Sequence, residues 1–297
     1  MNKVNLTTLP PPVLVDANKY TRGSLLVLAG SARYPGAAVL AARAAARTGA
    51  GYVTLAIPEP VAQVAQGHLL SIPVIAAPAQ DGAFAPDAWE PVAGQVSHKD
   101  AIILGPGLTV TPSTSAFVRS VMLLSSAPTV IDADALNVFA AFCAVDKQPP
   151  AWFIEKPGGP LSTEKDAQNL ILTPHGGELR RLFEATQTSK LEVLARVLNS
   201  IIVAKGPTTQ IVSANKTYIS TTGTAALAKA GTGDVLSGII GSLLAQGATP
   251  FDAAVLGVEI QGKAGRVAEE RLGRRSVCAE DVIKAIPTVI QELDNAV

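Results

Sequence analysis

Short runs of consecutive apolar residues recur along the chain and alternate with longer stretches in which apolar residues repeat every three or four positions. Runs of the first kind are typical of strands buried on both faces of a parallel sheet, and stretches of the second kind predict helices that bury one face. The predicted strands are 25–28, 52–57, 72–76, 101–104, 129–131, 170–172 and 201–204, followed by a hairpin of 210–212 and 217–220. The predicted helices are 36–48, 113–124, a helix from the glycine-rich turn at 231–233 to Gly247, 250–271 and 280–293, and we expect 79–99 to be a loop with short helical pieces.

This alternation predicts an α/β fold, with a doubly wound, mostly parallel central sheet and helices on both faces. No linker, repeat or change of composition divides the chain, so we expect residues 1–297 to form a single domain. Glycine-rich and polar segments follow several of the predicted strands. Because ligands bind at the carboxyl edge of such sheets, we expect the functional site at that edge.

Composition narrows the class of partner. The chain has 24 Lys and Arg against 24 Asp and Glu, and only 4% aromatic residues, which argues against a nucleic-acid binder. The two cysteines form no zinc or disulfide pattern, which fits a reducing compartment. Residues 1–10 lack the apolar stretch of a signal peptide, and the alanine-rich run at 37–46 is too short to cross a bilayer. We therefore expect a cytoplasmic protein that binds neither membrane nor nucleic acid.

The sequence Gly231-Thr232-Gly233-Asp234 is a glycine-rich turn that leads directly into an apolar helix. The free N–H groups at the start of a helix attract phosphate, and glycines let the backbone approach it closely. Asp234 lies beside such an anion and carries the carboxylate that a hydroxyl-activating base needs. The alternative is an acid that only suits the helix dipole. Neither GxxxxGK[ST] nor a GxGxxG after the first strand is present, which leaves this turn as the phosphate site.

Six segments in a fixed order carry a resemblance to a known family. They are Gly30-Ser31-Ala32-Arg33-Tyr34-Pro35-Gly36-Ala37-Ala38, Leu104-Gly105-Pro106-Gly107-Leu108, Ile131-Asp132-Ala133-Asp134-Ala135-Leu136-Asn137, Leu172-Thr173-Pro174-His175-Gly176-Gly177-Glu178, Lys205-Gly206, and Gly231 to Gly238. From about residue 25 to residue 293 the chain resembles the ADP-dependent NAD(P)H-hydrate dehydratase family of the ribokinase-like superfamily. Thr109, Gly176 and Lys229-Ala230 depart from the family's usual residues, but none of these changes removes a candidate catalytic group.

The resemblance implies a repair reaction on a damaged nicotinamide nucleotide. Such enzymes phosphorylate the ring hydroxyl of the S-form of hydrated NADH or NADPH at the expense of ADP, and elimination of phosphate then restores the ring double bond. AMP and phosphate are the other products. Phosphoryl transfer requires mainly positioning and charge stabilisation, which the glycine-rich turn would supply. The resemblance also implies Mg²⁺ as cofactor, a homotetramer and a separate NAD(P)H-hydrate epimerase. The alanine-rich helix 36–48 offers a face that would suit an interface between subunits.

Site residues follow from the same resemblance, position by position. Asp234 would be the catalytic base, and Glu178 would position Mg²⁺ through water. The hydrate would contact Ala37, Gly107, His175 and Asp234, and the nucleotide would contact Lys205, Gly206, Pro207, Thr208, Thr209 and Gly233.

Several alternatives remain open from the sequence. A ribokinase-like kinase for the hydroxyl group of a vitamin precursor shares the Gly-x-Gly-Asp turn, whereas the Gly-Pro-Gly and Thr-Pro-His-x-Gly-Glu segments favour the dehydratase. A non-catalytic nucleotide-binding module is disfavoured by the presence of Asp234. For Asp132 and Asp134, metal binding, substrate binding and turn capping are all alternatives. Arg33 and Tyr34 flank the glycine turn, and the sequence does not decide whether they contact the substrate. Preference for NADH-hydrate or NADPH-hydrate is not readable from these residues.

Overall fold

A nine-stranded sheet forms the centre of the protein in a computed structural model, which describes residues 16–95, 98–154 and 169–295. The strands are β1 (Ser24–Leu28), β2 (Tyr52–Pro58), β3 (Val74–Ala77), β4 (Ala79–Gln80), β5 (Ala83–Phe84), β6 (Ala101–Leu104), β7 (Thr129–Ile131), β8 (Leu170–Leu172), β9 (Ile201–Ala204), β10 (Thr209–Val212) and β11 (Thr217–Ser220). The order in the sheet is β11-β10-β9-β8-β7-β6-β1-β2-β3, and β4 pairs with β5 separately. Neighbouring strands from β9 to β3 are parallel, and β10 is antiparallel to both β9 and β11.

Helices cover both faces of this sheet, as the alternating pattern predicted. They are α1 (Pro35–Thr48), α2 (Glu59–His68), α3 (Trp89–Gln95), α4 (Pro112–Leu124), α5 (Ala133–Asp146), α6 (Ala151–Ile154), α7 (Gly176–Thr186), α8 (Leu191–Val197), α9 (Thr232–Ala245), α10 (Pro250–Leu272) and α11 (Ala279–Asp294), with a short 3₁₀ helix at Ala225–Leu227. Successive strand residues face opposite layers, so Leu25 and Val27 join one core and Leu26 and Leu28 join the other. The first core is completed by α1, α2, α9, α10 and α11, and the second by α3 to α8.

The alanine-rich face of α1 packs inside the chain, against α9. Ala38, Ala41, Ala42 and Ala45 are buried there. A Cβ atom on Gly238 of α9 would lie only 2.3 Å from the carbonyl oxygen of Ala41, so the two helix backbones are in close contact. The prediction that this alanine face suits an interface between subunits was therefore wrong, because α9 already covers it. The contact fixes the start of α9 at the carboxyl edge of the sheet.

The structure departs from the predicted elements in a few places. The third strand begins at Val74 rather than Ile72, and the segment after it contains the small β4–β5 hairpin as well as α3. Helices α2, α5, α6, α7 and α8 were not predicted. Helix α2 begins directly after β2, so no linker marks the change of element there. Within the described residues, no helix is both long and apolar enough to cross a membrane.

Candidate active site

The sheet order reverses between β1 and β6, and the candidate site begins there. The chain continues from β1 to β2 and β3 on one side, and later returns to β6 on the other. A crevice at the carboxyl ends of the strands is expected at such a switch point. The Gly30 N–H donates to the Pro106 carbonyl at 2.8 Å and joins the two loops. A Cβ atom on Gly105 would lie 1.8 Å from the Asp132 carbonyl oxygen, so only glycine fits where this loop meets the end of β7.

Two of the predicted substrate residues lie side by side in this crevice. A Cβ atom on Gly107 would lie 2.9 Å from the Cβ of Ala37 and 2.7 Å from the Tyr34 carbonyl oxygen, so the Gly107 backbone rests on the start of α1. Tyr34 is 46% exposed, and the Arg33 guanidinium lies 5.2 Å from the centre of its ring. Arg33 and Tyr34 thus form an exposed rim beside the crevice.

Asp132, at the end of β7, is the most deeply buried charge of the site. Its side chain accepts hydrogen bonds from Lys205 Nζ at 2.8 Å, Thr173 Oγ1 at 2.7 Å and Ser237 Oγ at 2.6 Å. Thr173 and Lys205 directly follow β8 and β9, so three neighbouring strand ends meet at this carboxylate. The parallel sheet therefore places the group, and α9 supplies the third donor.

The Asp132–Lys205 pair is charged on both sides. Burial alone would raise the pKa of Asp132, but the Lys205 charge and the three hydrogen bonds together hold that pKa below its ordinary value. Burial alone would lower the pKa of Lys205, and the carboxylates of Asp132, Glu178 and Asp234 raise it instead. Lys205 is thus a fixed ammonium rather than a solvated surface lysine.

Asp132 and Asp134 have different partners, although only one residue separates them. Ala133 between them has a φ of +48°, a left-handed conformation that is costly for a residue with a side chain. Asp134 Oδ2 accepts the Thr109 N–H at 2.8 Å and so holds the loop after β6. One acid therefore has a turn-stabilising role and the other supports the lysine. Thr109 itself has a φ of +64°, which explains why a glycine would be suitable at that position.

The glycine-rich turn lies next to Lys205. Gly231 has a φ of +88°, and the Thr232 hydroxyl donates to the carbonyls of Leu227 and Lys229 at 2.8 Å, which fixes the turn. A Cβ atom on Gly233 would be 3.4 Å from Lys205 Nζ. The ammonium therefore lies beside the first turn of α9, where helix N–H groups lack partners within the helix. The combination is suited to a phosphate group.

Asp234 occupies the same first turn and is poised to exchange a proton. Burial, followed by the negative charge of Asp132, raises its pKa from 3.8 to about 7, against the lowering effect of Lys205. Asp134 adds a smaller upward contribution. A carboxylate with a pKa near neutral is a better general base than an ordinary aspartate at that pH.

A cavity of about 510 Å³ opens on the other side of Lys205. Its lining includes five of the six predicted nucleotide residues, Lys205, Gly206, Pro207, Thr209 and Gly233, whereas Thr208 is not part of the wall. The remaining wall is formed by Thr232 and Leu236 of α9, by α10 and by the segment from Ser220 to Ala228. A cavity of this volume is in the range of small-molecule and cofactor sites.

The wall between β11 and the 3₁₀ helix is tied to α10 by polar contacts that the sequence analysis missed. Glu259 is 6% exposed, and it accepts from Thr222 Oγ1 at 2.5 Å and Tyr218 OH at 3.2 Å. Arg266 Nε donates to the Thr222 carbonyl at 2.6 Å, and the Thr224 hydroxyl donates to Glu269. The only sequence signal was a glutamate among the apolar residues of α10.

His175 and Glu178 together form the start of α7. The Gly177 N–H donates to His175 Nδ1 at 3.0 Å, and the His175 N–H donates to Glu178 Oε2 at 2.9 Å. Glu178 Oε1 lies 3.3 Å from His175 Nε2. Burial raises the pKa of Glu178 to about 7. His175 has an exposed ring, so its capping role leaves one face of the imidazole open to a ligand.

The donor set does not fit a metal ion held directly by side chains. Across the ranges 16–95, 98–154 and 169–295, no group of three or more His, Cys, Asp or Glu residues is arranged to hold a metal. Both carboxylate oxygens of Glu178 face His175, and Asp132 is neutralised by Lys205. Mg²⁺ is commonly carried by substrate phosphates and water, and that mode is compatible with this arrangement.

Comparison with known proteins identifies relatives of the whole matched region. A bifunctional NAD(P)H-hydrate repair enzyme of Salinibacter ruber is 36% identical over 93% of this chain, and the match covers 50% of that protein. The chain thus spans about half the length of the first curated relatives it matches. An ADP-dependent (S)-NAD(P)H-hydrate dehydratase of Cenarchaeum symbiosum is 31% identical over 94% of this chain and 92% of its own length.

Two solved structures share the fold. The ADP/ATP-dependent NAD(P)H-hydrate dehydratase of Bacillus subtilis, co-crystallised with ATP and Mg²⁺, has a TM-score of 0.76 and 28% identity over 97% of this chain and 96% of that one. A ribokinase-like superfamily protein of Enterococcus faecalis has a TM-score of 0.78 at 21% identity, over 97% of this chain and 93% of that one, and confirms the ribokinase-like fold. The profile of the NAD(P)H-hydrate dehydratase family matches residues 25–288. The chain therefore belongs to the NAD(P)H-hydrate dehydratase family.

Proposed function

We propose that the protein is an ADP-dependent (S)-NAD(P)H-hydrate dehydratase, which returns hydrated NADH or NADPH to the reduced nucleotide. One observation carries the proposal: Lys205 and Gly233 line the cavity at the start of α9, and Gly231 at the same helix start packs against Leu40 of α1, the helix that begins at the switch point. The cavity would hold ADP, and the crevice beside Gly107 and Ala37 would hold the hydrated ring. Relatives of that name support the same assignment.

The proposed chemistry follows from the charges at this junction. Asp234 accepts the proton of the ring hydroxyl, and the oxygen attacks the terminal phosphorus of ADP as the bond to AMP breaks. The Lys205 ammonium and the N–H groups of the first turn of α9 stabilise the charge on the transferred phosphoryl group. Phosphate is a far better leaving group than hydroxide, so the C–O bond then breaks and phosphate departs. The neighbouring ring carbon gives a proton to water, and the double bond returns.

The other predicted site residues bind the two substrates in this proposal. Gly206, Pro207, Thr209 and Gly233 contact the nucleotide from the cavity wall, and His175 contacts the hydrate with the open face of its ring. A nucleotide contact by Thr208, which lies outside that wall, stays a prediction from the resemblance. Mg²⁺ enters as the counter-ion of the ADP phosphates, where it would neutralise phosphate charge. Water-mediated positioning of that ion by Glu178 stays a prediction, and no step above depends on it.

The wider setting belongs to the same proposal. We propose a single domain that acts in the cytoplasm as a homotetramer, together with a separate NAD(P)H-hydrate epimerase. Some relatives carry the dehydratase name alone, and others are bifunctional NAD(P)H-hydrate repair enzymes. Light scattering of the purified protein tests the tetramer, and a mass other than four chains would contradict it.

Recovery of nicotinamide absorbance tests the activity. Reduced nicotinamide absorbs in the near ultraviolet and its hydrate does not, so purified protein is incubated with hydrated NADH, Mg²⁺ and either ADP or ATP. We expect recovery with ADP and little with ATP, with AMP and phosphate formed in equal amounts. If folded protein that binds AMP gives no recovery with either nucleotide, the proposal fails and the vitamin-precursor kinase becomes the better hypothesis.

A further inference from the structure

Asp132 has no role in the proposed chemistry, although it is the best-connected charge of the site. It is 1% exposed, and its three hydrogen-bond donors come from the ends of two strands and from α9. Ser237, one of those donors, lies one helical turn beyond Gly233 and also contacts the Gly233 carbonyl at 3.2 Å. The carboxylate thus connects Lys205 to the helix whose N-terminus faces the phosphate position.

Stability alone is a poor explanation for this arrangement. A buried ion pair loses much of its attraction to the cost of removing both charges from water, and apolar residues of similar volume serve a core equally well. Lys205 also has a flexible four-carbon side chain that would sample many rotamers if it were free. Its Nζ is instead held at 2.8 Å from Asp132, next to Gly233 and at the wall of the cavity.

We propose that Asp132 is a positioning residue that fixes the Lys205 ammonium beside the N-terminus of α9, where the transferred phosphoryl group lies. Ser237 and Thr173 hold Asp132 in turn, through its two carboxylate oxygens. Asp132 contacts neither substrate and acts through Lys205. The assignment rests on the proposed function, because it locates the transferred group between the cavity and the crevice.

A double-mutant cycle separates action through Lys205 from an independent structural role. The variants are Asp132→Asn, Lys205→Met and the combination of both, which leaves no unpaired charge. We expect each single change to lower kcat about a hundredfold, as the loss of an electrostatic contact to a transition state does, with KM for the hydrate changed less than about threefold. The cycle is measured at about pH 9, where Asp234 is ionised whether or not the Asp132 charge raises its pKa. In the Lys205→Met background, Asp132→Asn should then have almost no further effect. Effects that multiply in the double variant would overturn the proposal.

A milder pair of variants on α9 avoids burying an unpaired charge. Ser237→Ala removes one donor to Asp132, and Ser242→Ala is its matched control. Both serines are fully buried on the same helix, and the Ser242 hydroxyl accepts the Ala50 N–H at 3.0 Å, away from Asp132. We expect Ser237→Ala to lower kcat about tenfold with an unchanged KM, and Ser242→Ala to lower only thermal stability. Equal kcat values for the two variants would overturn the assignment.

The double-mutant cycle can also be measured by ADP binding instead of kcat. A failure of the positioning proposal can then be told apart from a failure of the proposed function. If the wild-type protein converts no hydrated NADH to NADH, the proposed reaction is wrong. Calorimetric titration with ADP then measures the coupling between Asp132 and Lys205. We expect Lys205→Met to weaken ADP binding about tenfold, as loss of a charge-assisted hydrogen bond to phosphate does. Asp132→Asn should add less than about twofold in that background. A further tenfold loss would overturn the proposal.

Discussion

Asp234→Asn should make the protein more stable while it abolishes turnover. Asp234 lies in the first turn of α9, where burial and the charge of Asp132 raise its pKa from 3.8 to about 7. The ionised carboxylate is therefore less favourable in the folded protein than in the unfolded chain. Asparagine has nearly the same shape and no charge, so the substitution removes this cost together with the proposed base.

The size of the effect follows from the shift in pKa. A shift of about three pH units corresponds to about 4 kcal/mol, at 1.36 kcal/mol per unit. Because the folded state binds this proton more tightly, the penalty is absent below about pH 4 and grows until the pH passes about 7. Asp234→Asn should then be about 4 kcal/mol more stable than wild type at about pH 8. With about 2.1 cal/mol/K of unfolding entropy per residue, Tm should rise by about 6 °C.

Thermal unfolding at several pH values provides the assay, with Asp252→Asn as the control. Asp252 is also an acid in the first turn of its helix, and it accepts from the Thr249 hydroxyl at 2.7 Å. Its removal should destabilise the protein by about 0.5–1 kcal/mol, which is the opposite sign. Wild-type kcat/KM should fall about tenfold per pH unit below about pH 7. An Asp234→Asn protein that is less stable than wild type at alkaline pH would refute the electrostatic reasoning, and unchanged turnover would refute the role as base.

Three further substitutions test other parts of the site. Gly105→Ala should lower the free energy of unfolding by at least about 3 kcal/mol in a denaturant titration, because its Cβ would collide with the Asp132 carbonyl. A smaller loss would mean that the loop shifts to relieve the collision. Glu259→Ala removes the acceptor for Thr222 in the cavity wall, so ADP affinity measured by calorimetry should fall about tenfold, and unchanged affinity would exclude a role for this wall. His175→Asn retains a residue that caps helices well, so stability should change by less than about 0.5 kcal/mol while KM for hydrated NADH rises about tenfold. An unchanged KM would leave His175 with only its capping role.

Most of the fold could be predicted because buried parallel strands require continuous apolar runs. The strands at 25–28, 101–104 and 129–131 follow this rule and were confirmed. Helix α5 escaped prediction because its apolar residues include Val138, Phe139 and Phe142 on adjacent sides, so no single stripe marks it. Local patterns therefore predict strands with a continuous apolar run and helices with one apolar face. They do not predict a helix such as α5, which is packed against the protein on several sides.

Some site residues were predictable from local motifs, whereas others depend on contacts between segments that are distant in the sequence. The segment from Lys205 to Thr209 and the glycine-rich turn are each local motifs, and the structure brings them to one cavity apart from Thr208. Glu259 supports that cavity from outside its lining: it accepts a hydrogen bond from Thr222, which is 37 residues away in the sequence and precedes the lining residues Gly223 and Thr224. No periodicity or motif records such a contact. The wall could therefore be recognised only after the hairpin and α10 had been placed together.

The segment Asp132-Ala133-Asp134 shows what decides between roles that a sequence leaves open. Two acids that flank one residue in a regular strand face the same side. Ala133 instead adopts a φ of +48°, a conformation that costs about 1–2 kcal/mol and is retained mainly at functional sites. The first acid then pairs with Lys205, and the second holds the loop after β6. Burial and the charge of the ionised Asp132 raise the pKa of Asp234 to about 7, so the strained turn at Ala133 helps to place a carboxylate that stays ionised beside one that accepts a proton.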